Sequence, residues 1–130
     1  MPVLWPTGGH AVCLDMKWFL PHIPRGELSG MASSAQLHLE SGERSVEIRT
    51  LLNGRDLRTG KNGPAKLELV RLTIPRRGYT RIHMDYVVWA VKKVRGMPDG
   101  IKGFVLVDEP PVLRHFTAKF KWVDRSYEVP

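Results

Sequence analysis

The alternation of apolar and polar residues predicts five short strands, and the order of the elements predicts the fold class. The predicted strands cover residues 9–15, 44–52, 67–74, 104–108 and 115–123. In the second strand, Val46, Ile48 and Thr50 share one face. The third, LELVRLTI, is the most apolar run and ends at Pro75. The last two are expected to form an antiparallel pair.

Two longer segments have the period of an amphipathic helix. The first has apolar residues at Leu28, Met31, Ala32, Ala35 and Leu39 and a stop signal at Gly42. The second is capped by Thr80, has its apolar face at Met84, Val87, Val88, Val91 and Val94, and is closed by Gly96 and Pro98. Residues 17–22 are expected to form a helical turn, and the glycine-rich residues 53–66 a mobile loop. Together these elements predict an α+β fold, a mixed and largely antiparallel sheet with helices on one face.

Length and cysteine usage limit the class of protein. A chain of 130 residues predicts a single small domain spanning residues 1–130. No apolar run approaches the ~20 residues that cross a bilayer, and the first residues do not resemble a signal peptide. The single cysteine, Cys13, excludes an internal disulfide, is expected to be a small buried core residue, and suits a cytoplasmic protein.

The chain has a net charge of +7, but no motif in the sequence links this charge to a function. The basic residues are dispersed, without the basic-aromatic pattern of an RNA-binding sheet, so nucleic acid is not an expected partner. Residues 54–61, GRDLRTGK, lack the spacing of a phosphate loop, and Asn62 stands where that loop has Ser or Thr. Cysteine and histidine occur without metal-ligand spacing, so no metal is expected.

Arg71 interrupts a run that is apolar on both faces. A guanidinium group is almost never fully buried without a partner, because removing it from water costs several kcal/mol. Two readings therefore remain open from the residues alone. Either the strand has an exposed edge and Arg71 lies in water, or its planar fork binds an anion such as a carboxylate.

The stretch VLRHFTAKF, residues 112–120, follows a turn-like Asp-Glu-Pro-Pro sequence and reads as a strand. Alternation places Phe116 on the core face and His115 on the other face. A histidine at such a position is either a surface residue or part of a site, and the pattern does not choose between the two.

Several stretches together resemble one enzyme family. They are PTGGHAVCLD at 6–15, FLPHIP at 19–24, SVEI at 45–48, NGRDLRTGK at 53–61, VRLTIPRRGYTRIHMD at 70–85, IKGF at 101–104 and EPPVLRHFTAKF at 109–120. In this order they resemble the C-terminal part of the tryptophanase and tyrosine phenol-lyase family, which are pyridoxal-phosphate β-eliminating lyases. The resemblance implies the small domain of a fold-type-I enzyme, which closes over a cofactor held by a large domain.

The same resemblance implies roles for four residues. Arg71 would bind the substrate α-carboxylate, and His115 would be the catalytic candidate, forming a hydrogen bond near the indole nitrogen or tuning proton delivery. Ile48 and Phe116 would line the pocket for the aromatic ring. His115 and Ile48 stand where phenol-lyases have phenylalanine and arginine, so the resemblance favours tryptophanase and an aromatic amino acid substrate.

None of the lysines of this chain has the context of a cofactor lysine, so no cofactor-binding residue is expected here. Pyridoxal phosphate would bind only with a large-domain partner chain. The chain is therefore expected to be part of a split enzyme, a truncated remnant or a domain fragment, inactive alone. The alternative is a catalytically inactive remnant that self-associates, as a homo-oligomer, or serves as an interaction domain.

Overall fold

The computed structural model combines antiparallel sheets with helices. It describes residues 2–24, 26–48, 50–53, 56, 58–61, 63, 66–97 and 100–124. Its elements in chain order are β1 (Ala11–Asp15), α1 (Met16–Phe19), α2 (Ser29–Ser41), β2 (Val46–Ile48), α3 (Thr50–Asn53), β3 (Leu69–Thr73), α4 (Arg81–Arg95), β4 (Phe104–Asp108), α5 (Arg114–Thr117) and β5 (Lys119–Trp122).

The described strands form two sheets, and every ladder between them is antiparallel. The larger sheet has the order β1-β3-β2, so the most apolar strand lies in the centre, paired on both edges. The smaller sheet pairs β4 with β5, with a register shift between Leu106 and Asp108. The predicted α+β class is confirmed. The difference is that the strands divide between two sheets instead of forming one mixed sheet.

The hydrophobic core lies between one face of the larger sheet and the helices α2 and α4. It joins Leu14, Val70 and Leu72 of the sheet to Ala32 of α2 and Val94 of α4. Two polar contacts also tie α4 to the end of α2: the Tyr86 hydroxyl donates to the carbonyl of Ser41 at 2.9 Å, and Lys93 pairs with Glu40 at 2.7 Å. These layers bury one face of the sheet and leave the other facing away from α2 and α4.

The predicted helix ends are confirmed at Gly42 and Thr80, but one residue on the predicted apolar face of each helix is exposed. Gly42 ends α2 in the left-handed region, with φ of 73°, and Thr80 begins α4 in a capping box with His83. Leu39 is 70% exposed, because α2 turns a stripe containing Leu37 towards the sheet instead. Val88 of α4 is also exposed, since Ala90 and Val94 are its buried residues.

Three further predictions differ from the structure or lie beyond it. The predicted strand at 44–52 is shorter, since Thr50 starts α3. Cys13 is half-buried on the sheet face that points away from the core, so its expected core position is wrong. The predicted loop at 53–66 is described in part, at residues 53, 56, 58–61, 63 and 66, of which Asn53 ends α3, and Pro98 lies outside the described residues.

Gly30 allows two carboxylate side chains to approach the first turn of α2. Its N–H donates to Oε1 of Glu68 at 2.9 Å, and a Cβ added to it would lie 2.7 Å from Cγ of Glu47. Glu47 is itself buried, so its side chain has little room to move. The close approach of β2 to α2 therefore depends on the absence of a side chain at this position.

We expect Gly30→Ala to lower the free energy of unfolding by about 1–3 kcal/mol, as overpacking does, although alanine is the better helix former. Urea denaturation measures this difference. Gly9→Ala is the control, since a Cβ there meets nothing within 4 Å. A Gly30→Ala variant as stable as the parent would contradict the packing described here.

Candidate functional site

Arg71 lies at the middle of the larger sheet and projects from the face that points away from the core. Residues paired across a ladder project to the same side. Arg71 is paired with Cys13 of β1 and with Val46 of β2, whereas its chain neighbours Val70 and Leu72 are buried on the core side. The pleat of β3 therefore separates the guanidinium group from the apolar layer.

The guanidinium group of Arg71 has unused hydrogen-bonding capacity. Its Nε–H is buried and has no hydrogen-bond partner, and no ion pair joins the side chain to any described residue. A buried donor without a partner costs about 1–3 kcal/mol, more for a charged group. A carboxylate meeting the fork would recover this cost through two parallel hydrogen bonds. The buried Nε shows that Arg71 is not fully immersed in water, and its binding of an anion stays a prediction.

Ile48 lies on the same side of the sheet as Arg71. It is paired with Leu69, which is two residues before Arg71 on β3. Such diagonal neighbours on adjacent strands are about 7–8 Å apart. Ile48 is half-buried, so an apolar surface stands close to the guanidinium group. The sheet thus brings these two predicted site residues together.

His115 and Phe116 lie on the one-turn helix α5, so the predicted strand across residues 112–118 is wrong. The turn begins at Leu113, which has a φ of 54° in the left-handed region, and β5 starts only at Lys119. Phe116 is 77% exposed, in contrast to the core position that alternation predicted. His115 is half-buried, and its ring packs against that of Phe116 with centroids 4.0 Å apart.

Arg114 joins α5 to α3, the turn that follows the strand of Ile48. Its Nε donates to the carbonyl of Leu51 at 2.8 Å and its Nη2 to that of Thr50 at 3.2 Å. Its Nη1 also pairs with Glu109 at 3.0 Å. The four predicted site residues therefore form two pairs, Arg71 with Ile48 and His115 with Phe116. Arg114 joins the second pair to α3, which follows the strand of Ile48, and no hydrogen bond joins His115 to Arg71, both of which are described.

Sequence reasoning missed Glu47, a buried carboxylate between Val46 and Ile48. It accepts hydrogen bonds from the amides of Thr50 at 2.7 Å and Leu51 at 3.4 Å. These bonds satisfy N–H groups in the first turn of α3. Burial raises the pKa of Glu47 above its ordinary value of 4.5, against the lowering effect of these amides. The alternation that placed Val46 and Ile48 on one face was a signal for Glu47, since it puts that carboxylate on the opposite, core face.

No group of three or more potential metal-ligating side chains occurs in the described part of the chain. Likewise, no helix among those residues is both long and apolar enough to cross a membrane.

The raised pKa of Glu47 predicts a pH-dependent contribution to stability. The folded state holds this proton more tightly than the unfolded state, so the contribution is fully present below pH 4.5 and is lost as pH rises through the folded pKa. We expect the free energy of unfolding of the parent to fall relative to that of Glu47→Gln as pH rises from 4 to neutrality. Urea denaturation at several pH values measures this difference. A parent that becomes more stable relative to Glu47→Gln as pH rises would contradict the burial effect.

Comparison with known proteins identifies relatives for nearly the whole chain, although no family model matches it. A tyrosine phenol-lyase of Pasteurella multocida is 50% identical over 121 residues, which is 93% of this chain. Tryptophanases of Haemophilus influenzae and Escherichia coli O157:H7 are each 48% identical over 117 residues, or 90% of this chain. The chain spans about a quarter of the length of these relatives, 26% of the first and 25% of the others.

The identities to the two kinds of enzyme differ by two percentage points, so overall identity does not separate the branches. Both kinds match the same large share of this chain at close to half of its positions. By its sequence, the chain therefore corresponds to a C-terminal segment of the tryptophanase and tyrosine phenol-lyase family.

Proposed function

We propose that this chain is the substrate-binding C-terminal part of a tryptophanase-type β-eliminating lyase, which converts L-tryptophan and water to indole, pyruvate and ammonia. The observation that carries the proposal is Arg71, whose buried Nε–H lacks a partner on the sheet face that points away from the core. An amino acid substrate always presents an α-carboxylate, and a fixed planar fork is the donor that suits it.

Catalysis requires a large-domain polypeptide in addition to these residues. The described lysines of this chain are Lys17, Lys61, Lys66, Lys92, Lys93, Lys102, Lys119 and Lys121, and all are exposed, whereas a cofactor lysine works inside a pocket. Pyridoxal phosphate, held by the large domain, supplies the electron sink for loss of the Cα proton. The single cysteine suits a reducing compartment, so we place this activity in the cytoplasm.

The residues of this chain orient the substrate and receive its ring. Arg71 binds the carboxylate and so fixes the direction of the Cα–H bond before the proton leaves. The bond between Cβ and the indole ring then breaks, and the ring carbon takes up a proton. His115 is half-buried and lies beside Phe116, so it can hydrogen-bond near the indole nitrogen while Phe116 covers the ring.

Ile48 and His115 favour indole over phenol as the leaving group. Ile48 offers an apolar surface on the same face as Arg71, and a cation in its place would hold a phenol hydroxyl instead. A phenylalanine in place of His115 would remove the hydrogen-bonding partner of the indole nitrogen. The preference for tryptophan therefore rests on these two positions.

A second candidate function is a self-associating or interaction domain without catalysis. The observation that favours it is the apolar surface of α4, where Ile82 is 80% exposed and Tyr86 and Trp89 stack beside it. An apolar cleft of about 270 Å³ also lies between α4 and the sheet, with Val12, Leu72 and Val87 in its lining. A homo-oligomer that forms without any lyase activity in the test below would support this candidate.

The carboxylate role of Arg71 predicts a loss of activity on its substitution. The experiment replaces the corresponding C-terminal segment of a tryptophanase with this chain, loads pyridoxal phosphate and measures indole release from tryptophan. We expect Arg71→Lys to raise KM at least about tenfold, because lysine keeps the charge but loses the bidentate geometry. Arg81→Met, at a fully exposed arginine, is the matched control. An inactive parent chimera that binds the cofactor, or full activity of Arg71→Ala, would refute the proposal.

The selectivity argument predicts that two substitutions shift the substrate preference. We expect Ile48→Arg combined with His115→Phe to lower the ratio of kcat/KM for tryptophan over tyrosine by about tenfold or more, since single pocket contacts change such ratios by 10–200-fold. Parallel assays of indole and phenol release measure the ratio. An unchanged ratio in the double variant would show that selectivity resides elsewhere.

A further inference from the structure

The turn that carries His115 and Phe116 has little of its own to hold it in place. α5 has four residues, and a helix of one turn is not stable in isolation. Arg114 is its buried residue, while Phe116 and Thr117 are exposed. The N-cap residue Leu113 has a positive φ and gives no side-chain cap. The position of the turn therefore depends on what Arg114 contacts.

Arg114 contacts the backbone of the same two residues that Glu47 contacts, Thr50 and Leu51. The guanidinium group donates to the carbonyls of Thr50 and Leu51, and the carboxylate of Glu47 accepts from the amides of Thr50 and Leu51. The first turn of α3 is thus fixed at its N–H groups by a residue of β2 and at its C=O groups by a residue of α5.

This arrangement fixes the position of the His115–Phe116 turn relative to the end of the strand that carries Ile48. Glu47 is the neighbour of Ile48 on β2, and Arg114 is the neighbour of His115 on α5. Both charged side chains are buried, with Glu47 5% and Arg114 7% exposed, so water does not weaken their hydrogen bonds. A planar guanidinium group that spans two carbonyls also fixes direction, which a single ammonium group does not.

We propose that Arg114 and Glu47 are positioning residues, which hold the His115–Phe116 turn against the end of the strand that carries Ile48. In this role they set the shape of the wall that receives the aromatic ring. The inference rests on the proposed function for its catalytic meaning, but the tether itself is a property of this chain. The role is separate from carboxylate binding, which belongs to Arg71.

Order in the turn tests the tether in the isolated 130-residue chain. ¹⁵N relaxation of the parent should give backbone order parameters of about 0.85 at His115 and Phe116, as in rigid structure. In Arg114→Lys we expect both to fall below about 0.6, while Val70 and Leu72 of β3 keep the parent values. Glu109→Gln removes the negative charge that pairs with the guanidinium group and leaves both carbonyl contacts, so it should lower the order in the same direction by less. Arg81→Met, which removes an exposed ion pair, should change neither.

Two results would overturn the inference. One is an ordered turn in both Arg114→Lys and Glu109→Gln. The other is an equal loss of order in α5 and β3, since this would make Arg114 a general stabilising residue. If Arg114→Lys does not fold, Glu109→Gln still decides between the outcomes, because it disturbs one contact at the partly exposed end of the network.

A kinetic readout in the chimeric lyase separates positioning from general stability. We expect Arg114→Lys to lower kcat/KM for tryptophan at least about tenfold more than kcat/KM for S-methyl-L-cysteine, a small substrate with no ring to be positioned. Equal losses for both substrates would overturn the positioning role. A parent chimera without elimination activity would instead refute the proposed function. The relaxation result would still decide whether Arg114 holds the turn in place.

Discussion

The pairing of β3 on both of its edges is the constraint from which the candidate site follows. A central strand cannot shift without breaking two ladders, so the direction of each side chain is fixed by its place in the pleat. Val70 and Leu72 are held in the core, and Arg71 between them is held on the opposite face. A slip of one residue would move a guanidinium group into the apolar layer at a cost of several kcal/mol. The core therefore selects the register that also places the Arg71 guanidinium group on the opposite face.

Elements with strong local signals could be predicted from the sequence. The apolar run of β3, the glycine that ends α2 and the threonine that caps α4 each act within a few residues of their own position. The same holds for Arg71, since a charge within an apolar run is visible without knowledge of the fold. Hydrophobic periodicity alone was less successful for the buried faces of α2 and α4, where Leu39 and Val88 are exposed, and in α2 the close packing of Gly30 against Glu47 restricts the rotation of the helix.

The helical turn expected at residues 17–22 is found in part as α1, but the short helices α3 and α5 could not be predicted, because distant residues determine them. The alternation in residues 115–122 suits a strand as well as a turn followed by a strand. What decides between them is Arg114, which binds carbonyls 63 and 64 positions earlier in the chain. Glu47 was open to prediction as a residue on the core face, but its capping of α3 requires a turn that no local pattern indicates. In both cases the missing information is which distant residues come into contact in the folded chain.

The two parts of the site are therefore built on different physical principles. Arg71 and Ile48 are placed by a hydrophobic core through the pleat of a sheet, whereas His115 and Phe116 are placed by charged side chains that bind backbone groups. Hydrogen bonds to charged groups are directional and contribute about 1.5–3 kcal/mol each, which is enough to dock a turn too short to bury apolar area. Because Arg114 makes the hydrogen bonds that join the turn to α3, these contacts do not involve the side chains of His115 and Phe116. We therefore expect His115 and Phe116 to tolerate exchange without a cost to the core, which under the proposed function would let one scaffold serve either indole or phenol chemistry.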